Sequence, residues 1–399
     1  MNTLFTAIKS GYKFVLMTML TCCLQIFQVA GAQDTTCPQG SLLQQSFSSG
    51  ASWSVCATVS HTHGLAISNV YYRAPGDTSR SVLSEAQVAQ ILLHYHDKST
   101  AEPQFSPSTN LTEQSRQTTI QRLSQATCMG DVTNVGEQPE SVCSRVENNR
   151  TLAKYAQRES LHSEAWELSA TVLRESLTLS ISWTFTEDGQ IQPEVSVSGR
   201  AARTQLDEQF SQNIRSDLPR LTRATILSTW RLVPALDTDS LDTVEQFDFP
   251  LLVTDQNRRP MQISAITEEA FVEVDRQQFR GWRLLDESGA GYYLDPANQG
   301  YGYSSSVHHW ANYEVAFTRY NACEQYALEN PSSTETCGAN LDDFVNAESL
   351  LEQQVVMWYS QAHLLNPSIE DWPILGDVQI GFDLLPFDWT DTSPFEVVE

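Results

Sequence analysis

Short segments rich in β-branched and aromatic residues recur along this chain between Gly, Pro, Asn and Asp punctuation, and that rhythm limits what it can fold into. Residues 66–72, 177–185, 191–197, 225–233 and 355–359 each have the length and composition of a strand. Glu187-Asp188-Gly189 separates two of them, and Asp-Gly accepts the positive φ that a tight hairpin needs. Helical signals are few: residues 85–94 and 112–126 fit best. Residues 99–119, rich in Ser, Thr, Pro and Gln, read as a long exposed excursion with strand-like sequence on both sides. No repeat recurs at solenoid or propeller period. The expected fold is mainly β: one large antiparallel β-sandwich with long loops and a few short helices.

Charge narrows the function classes. The 399 residues carry 24 basic and 49 acidic side chains, a formal charge of −25, which excludes the dense cationic surface that nucleic acid requires. With 41% hydrophobic residues and 9 Trp, the chain is also unlike a disordered acidic tail. Residues 1–32 read as a signal peptide: Lys9 and Lys13 precede the apolar stretch 14–29, and Ala30-Gly31-Ala32 supplies small residues before a cleavage point at Gln33. That leaves residues 33–399 as one domain, with a charge of −27, no membrane span and a secreted or periplasmic location. Six cysteines then remain. An even number in an oxidising compartment reads as disulfides, and although six allow fifteen pairings, sequence neighbours suggest Cys37–Cys56, Cys128–Cys143 and Cys323–Cys337.

A family resemblance emerges at the C-terminus. Val355-Val356-Met357-Trp358-Tyr359, Glu370-Asp371-Trp372-Pro373-Ile374-Leu375, Phe382-x-Leu384-x-Pro386 and Asp391-x-x-Pro394 resemble the end of the copper-containing amine oxidase catalytic domain. Trp53 with Gly64-Leu65-Ala66-Ile67-x-x-Val70, Trp183-Thr184-Phe185-x-x-Asp188-Gly189-x-Ile191 with Gly199, Arg280-Gly281-Trp282, Gly291-Tyr292-Tyr293-Leu294-x-Pro296 and Thr318-Arg319-Tyr320-Asn321-x-x-Glu324-x-Tyr326 follow in family order. The resemblance covers nearly all of 33–399 and implies an antiparallel β-sandwich that forms a homodimer. It also implies oxidation of primary amines to aldehydes, with topaquinone made from a tyrosine of the chain, a copper ion on three histidines, and an aspartate that takes the substrate α-proton.

The residues for that chemistry are missing. Counting back from Trp183, the cofactor tyrosine position is Leu177, and no tyrosine occurs between Tyr155 and Tyr292. The His-x-His copper pair is expected near Ser228 to Trp230, yet no histidine lies between His162 and His308. The third copper position, five residues before Glu370, is Leu365; His363 is one pleat period away and alone cannot hold copper. The Asp-x-Gly-Glu segment of the catalytic base is not found between Tyr95 and Cys128. Asn312-Tyr313-Glu314 mimics the quinone motif after His308 and His309, but it lies beside Thr318-Arg319-Tyr320-Asn321 and reads as an ordinary strand tyrosine. Copper and topaquinone are therefore implied by the family but unsupported by the residues, and no cofactor is expected.

Two other constellations remain. His61 with His63, and His94 with His96, have strand spacing and form candidate chelates for a divalent metal, weighed against loop and helix-end histidines in water. Asp237-Thr238-Asp239 resembles the family's structural calcium loop, although the distal aspartate position is Gln354. Nucleophile-elbow, phosphate-loop and His-Glu-x-x-His patterns are absent. Asn110-Leu111-Thr112 and Asn149-Arg150-Thr151 are glycosylation sequons in a eukaryotic setting. The expectation is a catalytically degenerate oxidase relative acting as a binding or partner protein, with cationic small molecules such as polyamines as ligands suited to its acidity. The alternatives are a metal-dependent, amine oxidase-like enzyme using the relocated histidines, and an accessory subunit of an active oxidase.

Overall fold

A computed structural model describes residues 37, 40–96, 118–155, 159–174, 177–200, 203–204, 211–218, 220–236, 242–252, 258–296, 303, 308–328, 330, 334 and 337–391. The signal segment 1–32, the excursion beyond residue 96 as far as 117, and Asp237 with Asp239 lie outside them. Two large antiparallel sheets dominate. One has eight strands in the spatial order β1 (Ser41–Ser46), β2 (Ser52–Ser60), β3 (Gly64–Arg73), β4 (Ser79–Tyr95), β14 (Ala224–Pro234), β21 (Val355–Leu365), β20 (Val315–Arg319) and β17 (Ala270–Val272).

The other has twelve strands. Its main path runs β16 (Gln262–Ile266), β15 (Thr243–Asp248), β18 (Gly281–Leu285), β19 (Gly291–Asp295), β23 (Asp383–Phe387), β10 (Ile191–Gly199), β9 (Leu177–Thr186), β8 (Glu159–Arg174), β7 (Gln138–Tyr155) and β6 (Asp131–Val135). Off this path, β22 (Leu375–Gly381) pairs with β10 and β5 (Thr118–Ile120) with β8. A small sheet joins β11 (Arg203–Thr204), β13 (Arg220–Thr222) and β12 (Ser211–Gln212).

Alternation builds the core. Along β9, Leu177, Leu179, Ile181, Trp183 and Phe185 are buried while Thr178, Ser180, Ser182 and Thr184 are half-buried on the other face. β10 repeats this with Ile191, Val195 and Val197 inward. These side chains meet Trp53, Ile67, Val88, Ile226, Trp230 and Met357 of the facing sheet in one large cluster. Polar atoms of its aromatics pin sheet to sheet: Trp53 Nε1 donates to the Thr186 carbonyl at 2.7 Å, and Trp183 Nε1 to that of Leu65 at 3.1 Å. The Glu187-Asp188-Gly189 turn closes the β9–β10 hairpin with Gly189 at φ 89°, and a Cβ there would meet the Tyr72 ring at 3.1 Å, so glycine suits both backbone and packing.

The eight-stranded sheet is covered on both faces. Its outer face carries a second cluster with Ala89, Leu92, Leu227, Val356 and Trp358, lidded by Trp310 and by a helical turn at Leu341–Phe344. This corrects the helix expected at 85–94, which is the second half of β4. Ala86, Val88, Ile91 and Leu93 face one cluster while Ala89 and Leu92 face the other, and the register with β14 shifts at Ala89, so period-2 alternation is lost. The helix expected over 112–126 also fails where the residues are described: Thr118–Ile120 is strand β5 and no helix follows it. All three disulfides join sequence neighbours, Cys37 with Cys56, Cys128 with Cys143, and Cys323 with Cys337. Each closes a short loop, worth about 3 kcal/mol of unfolded-state entropy.

Candidate functional site

Leu177 and Leu365, the positions implied for the cofactor tyrosine and the third copper ligand, come from opposite sheets and meet. Leu365 lies in one cross-strand row with Ala224 and Tyr95, because Ala224 is the register partner of both. Leu177, at the start of β9, closes the row from the other sheet. Together with Leu93 and Leu375 these residues line a cavity of only about 20 Å³. Leu177, Leu365 and Leu375 are all less than a tenth exposed. Such a cavity has room for about one water molecule.

The neighbouring positions are equally unsuited to copper. On β14, where a histidine pair was expected, Ser228, Thr229 and Trp230 are fully buried. Thr229 Oγ1 shares a 2.9 Å hydrogen bond with Ser360 Oγ, and Ser228 Oγ donates to the Gln361 carbonyl. Trp230 meets Trp183 edge-on at 5.2 Å, filling the space with indole carbon. His363, opposite Ile226, is half-buried, and burial lowers its pKa. The polar side chains that line the cavity are those of Tyr95, Arg200 and Thr222, with no histidine or carboxylate, a donor set that does not fit a copper ion.

The four early histidines do not converge. His61 is exposed in the β2–β3 turn, whereas His63 is buried and fully bonded. Its Nδ1 lies 3.1 Å from the Val88 carbonyl and must donate there, so Nε2 accepts from the Tyr326 hydroxyl at 2.9 Å. Burial pushes its pKa down to about 4. His94 and His96 do meet, with ring centroids 5.6 Å apart. His94 Nδ1 is 3.2 Å from the Tyr303 hydroxyl and His96 Nε2 is 2.7 Å from Thr225 Oγ1. Burial lowers both pKa values, with a smaller contribution from His96 on His94 and from Arg223 on His96. Val88, which holds His63, is six residues before His94, or roughly 20 Å along an extended strand. Among the described residues no three His, Cys, Asp or Glu side chains are grouped to hold a metal ion.

Tyr313 of the quinone-like triplet sits at the entry to β20, stacked on Phe271 at 5.0 Å, and Glu314 accepts from the Val274 amide. Both are remote from the row that contains Leu365. Gln354, at the distal calcium position, donates Nε2 to Ser84 Oγ at 3.3 Å. One feature was not legible in the sequence: a polar concavity on the outward face of the twelve-stranded sheet, where Glu167, Glu194 and Asp383 gather. Alternation marks Gln192 and Glu194 as outward-facing, but nothing local places Asp383 beside them.

The comparisons agree with this architecture. Residues 251–399 match the family model of the copper amine oxidase enzyme domain. Among solved structures, a copper-containing benzylamine oxidase from Hansenula polymorpha is similar at a TM-score of 0.67 and 17% identity, over 86% of this chain and 59% of that one. A lysyl oxidase from Pichia pastoris gives 0.65 and 12%, over 86% and 52%. An amine oxidase from Aspergillus nidulans gives 0.63 and 17%, over 92% and 56%. At these identities the likeness is one of fold, and the chain spans between half and three-fifths of each of these proteins. Residues 251–399 thus match the copper amine oxidase enzyme domain in sequence, and the chain shares the β-sandwich fold of these solved amine oxidases.

Proposed function

We propose that this is a catalytically degenerate relative of the copper amine oxidases, exported after removal of residues 1–32, that acts as a binding or partner protein. One observation carries the reading: Leu177 and Leu365 line the same small cavity. Counting from separate motifs assigned them to the cofactor and to copper, and their meeting across the sandwich supports that assignment. Their side chains supply neither an oxidisable phenol nor a ligand. The disulfides support an oxidising compartment. Homodimer formation is supported by β16, a sheet-edge strand whose residues are almost all exposed, beside exposed Met261 and Phe279.

A quinone redox stain and peroxide release from a panel of primary amines test this reading. No stain and no amine-dependent peroxide are expected; both together would overturn it. The pair His94 and His96 favours a second reading, a relocated metal site. Stoichiometric metal without quinone, lost on replacing both residues, would establish that reading instead. Calcium at Asp237 and Asp239 is a separate proposal, tested by a calcium-dependent shift in melting temperature that Asp237→Asn removes.

A further inference from the structure

The twelve-stranded sheet forks at β10. Ile191 pairs with Leu384 of β23, whereas Glu194–Gly199 pair with β22. Where the chain passes between those two strands, Gly381 approaches β10 so closely that a Cβ would lie 2.7 Å from the Pro193 carbonyl oxygen. The fork leaves a concavity of about 420 Å³ on the outward face, within the range of small-molecule sites. Thr184, Gln192 and Glu194 form its floor, and its walls carry the Arg145–Glu167 ion pair and Asp383.

Four carboxylates, Glu167, Glu194, Asp377 and Asp383, act here against two guanidiniums, Arg145, which Glu167 holds, and Arg150, which acts on Asp383. Gln192 bridges the floor, donating Nε2 to Asp383 at 2.8 Å and accepting from Arg150 at 2.9 Å. The Glu194 carboxylate has no hydrogen-bond or ion-pair partner among the described residues. Burial, then the charges of Glu167 and Asp377, raise its pKa above the ordinary carboxylate range. At the far wall, Asp383 is the direct cross-strand partner of Asp295, an arrangement of like charges that costs stability. The site thus offers an anionic anchor at Glu194, a second at Asp383, and a Thr–Gln floor between them.

We propose that this trough binds a small organic cation, with one ammonium or guanidinium group on Glu194 and the body of the ligand directed towards Asp383. Charge-assisted hydrogen bonds to these carboxylates supply the recognition. The volume suits a molecule rather than a bare ion, and the described carboxylates are not grouped for metal binding. The site lies on the face of β9 and β10 opposite to Leu177, so it does not depend on whether the inner cavity is inactive.

Calorimetric titration of the intact exported protein with agmatine, which bears an ammonium and a guanidinium, tests the proposal. Saturable binding at one site is expected, with none for 1,4-butanediol as the neutral control. Glu194→Gln and Asp383→Asn should each weaken it at least tenfold, while Glu352→Gln, an exposed carboxylate elsewhere, should leave it unchanged. Melting curves of the variants confirm that they remain folded. Absence of saturable binding, or binding that survives Glu194→Gln, would overturn the proposal. Metal content and peroxide release are measured separately, so either hypothesis can fail alone.

Discussion

The two faces of β9 and β10 show the same strands put to different uses. Inward, Leu177, Ile181 and Val195 enter a core closed to anything larger than a water molecule. Outward, Thr184, Gln192 and Glu194 line a polar trough some twenty times larger. At the inner positions Leu177 and Leu365 line the small cavity and contribute packing. The contrast teaches that apolar side chains on the inner face add stability, whereas outer carboxylates cost stability unless something neutralises them.

Substitutions can break that contrast, and the largest effect is expected inside. Leu365→Asp places a carboxylate in the apolar row with Ala224 and Tyr95, and should cost about 4 kcal/mol or more in urea unfolding. A smaller loss follows from pH. His63 has a folded pKa of about 4, below its ordinary 6.5, because burial disfavours the charged ring. Its contribution is present above pH 6.5 and lost as pH falls towards 4, on the order of 3 kcal/mol. The acid slope of stability should flatten correspondingly in His63→Gln, after allowance for its lower baseline.

A tyrosine at position 177 is the next test in size. Leu177→Tyr forces a ring into a cavity of about 20 Å³ and should cost about 1–3 kcal/mol, without producing quinone stain. Outside, the sign reverses. Asp383→Asn removes one of two opposed carboxylates and should raise stability by a few tenths of a kcal/mol in the absence of ligand.

Much of the fold was legible where a strand has one buried face. The alternation of 177–185 and 191–197, the Asp-Gly turn and the disulfide neighbours all appear as read. Residues 85–94 misled because β4 is covered on both sides and its register shifts at Ala89, so its apolar positions do not keep period 2. Strand spacing brings His94 and His96 together but says nothing about distance along the strand, and His63 is committed to Val88 and Tyr326. Counting from ordered motifs singled out Leu177 and Leu365, and the structure brings both to one cavity. The trough was not, because it exists only where β22 and β23 divide β10 between them.

The central claim is that the inner site cannot carry the family's metal. Copper stoichiometry, measured by elemental analysis after saturation with copper and exhaustive dialysis, tests it most directly. The expected result is far below one copper per chain, unchanged in Leu365→Ala. One tightly held copper per chain, lost in a variant of the residues around Leu177 and Leu365, would contradict the account.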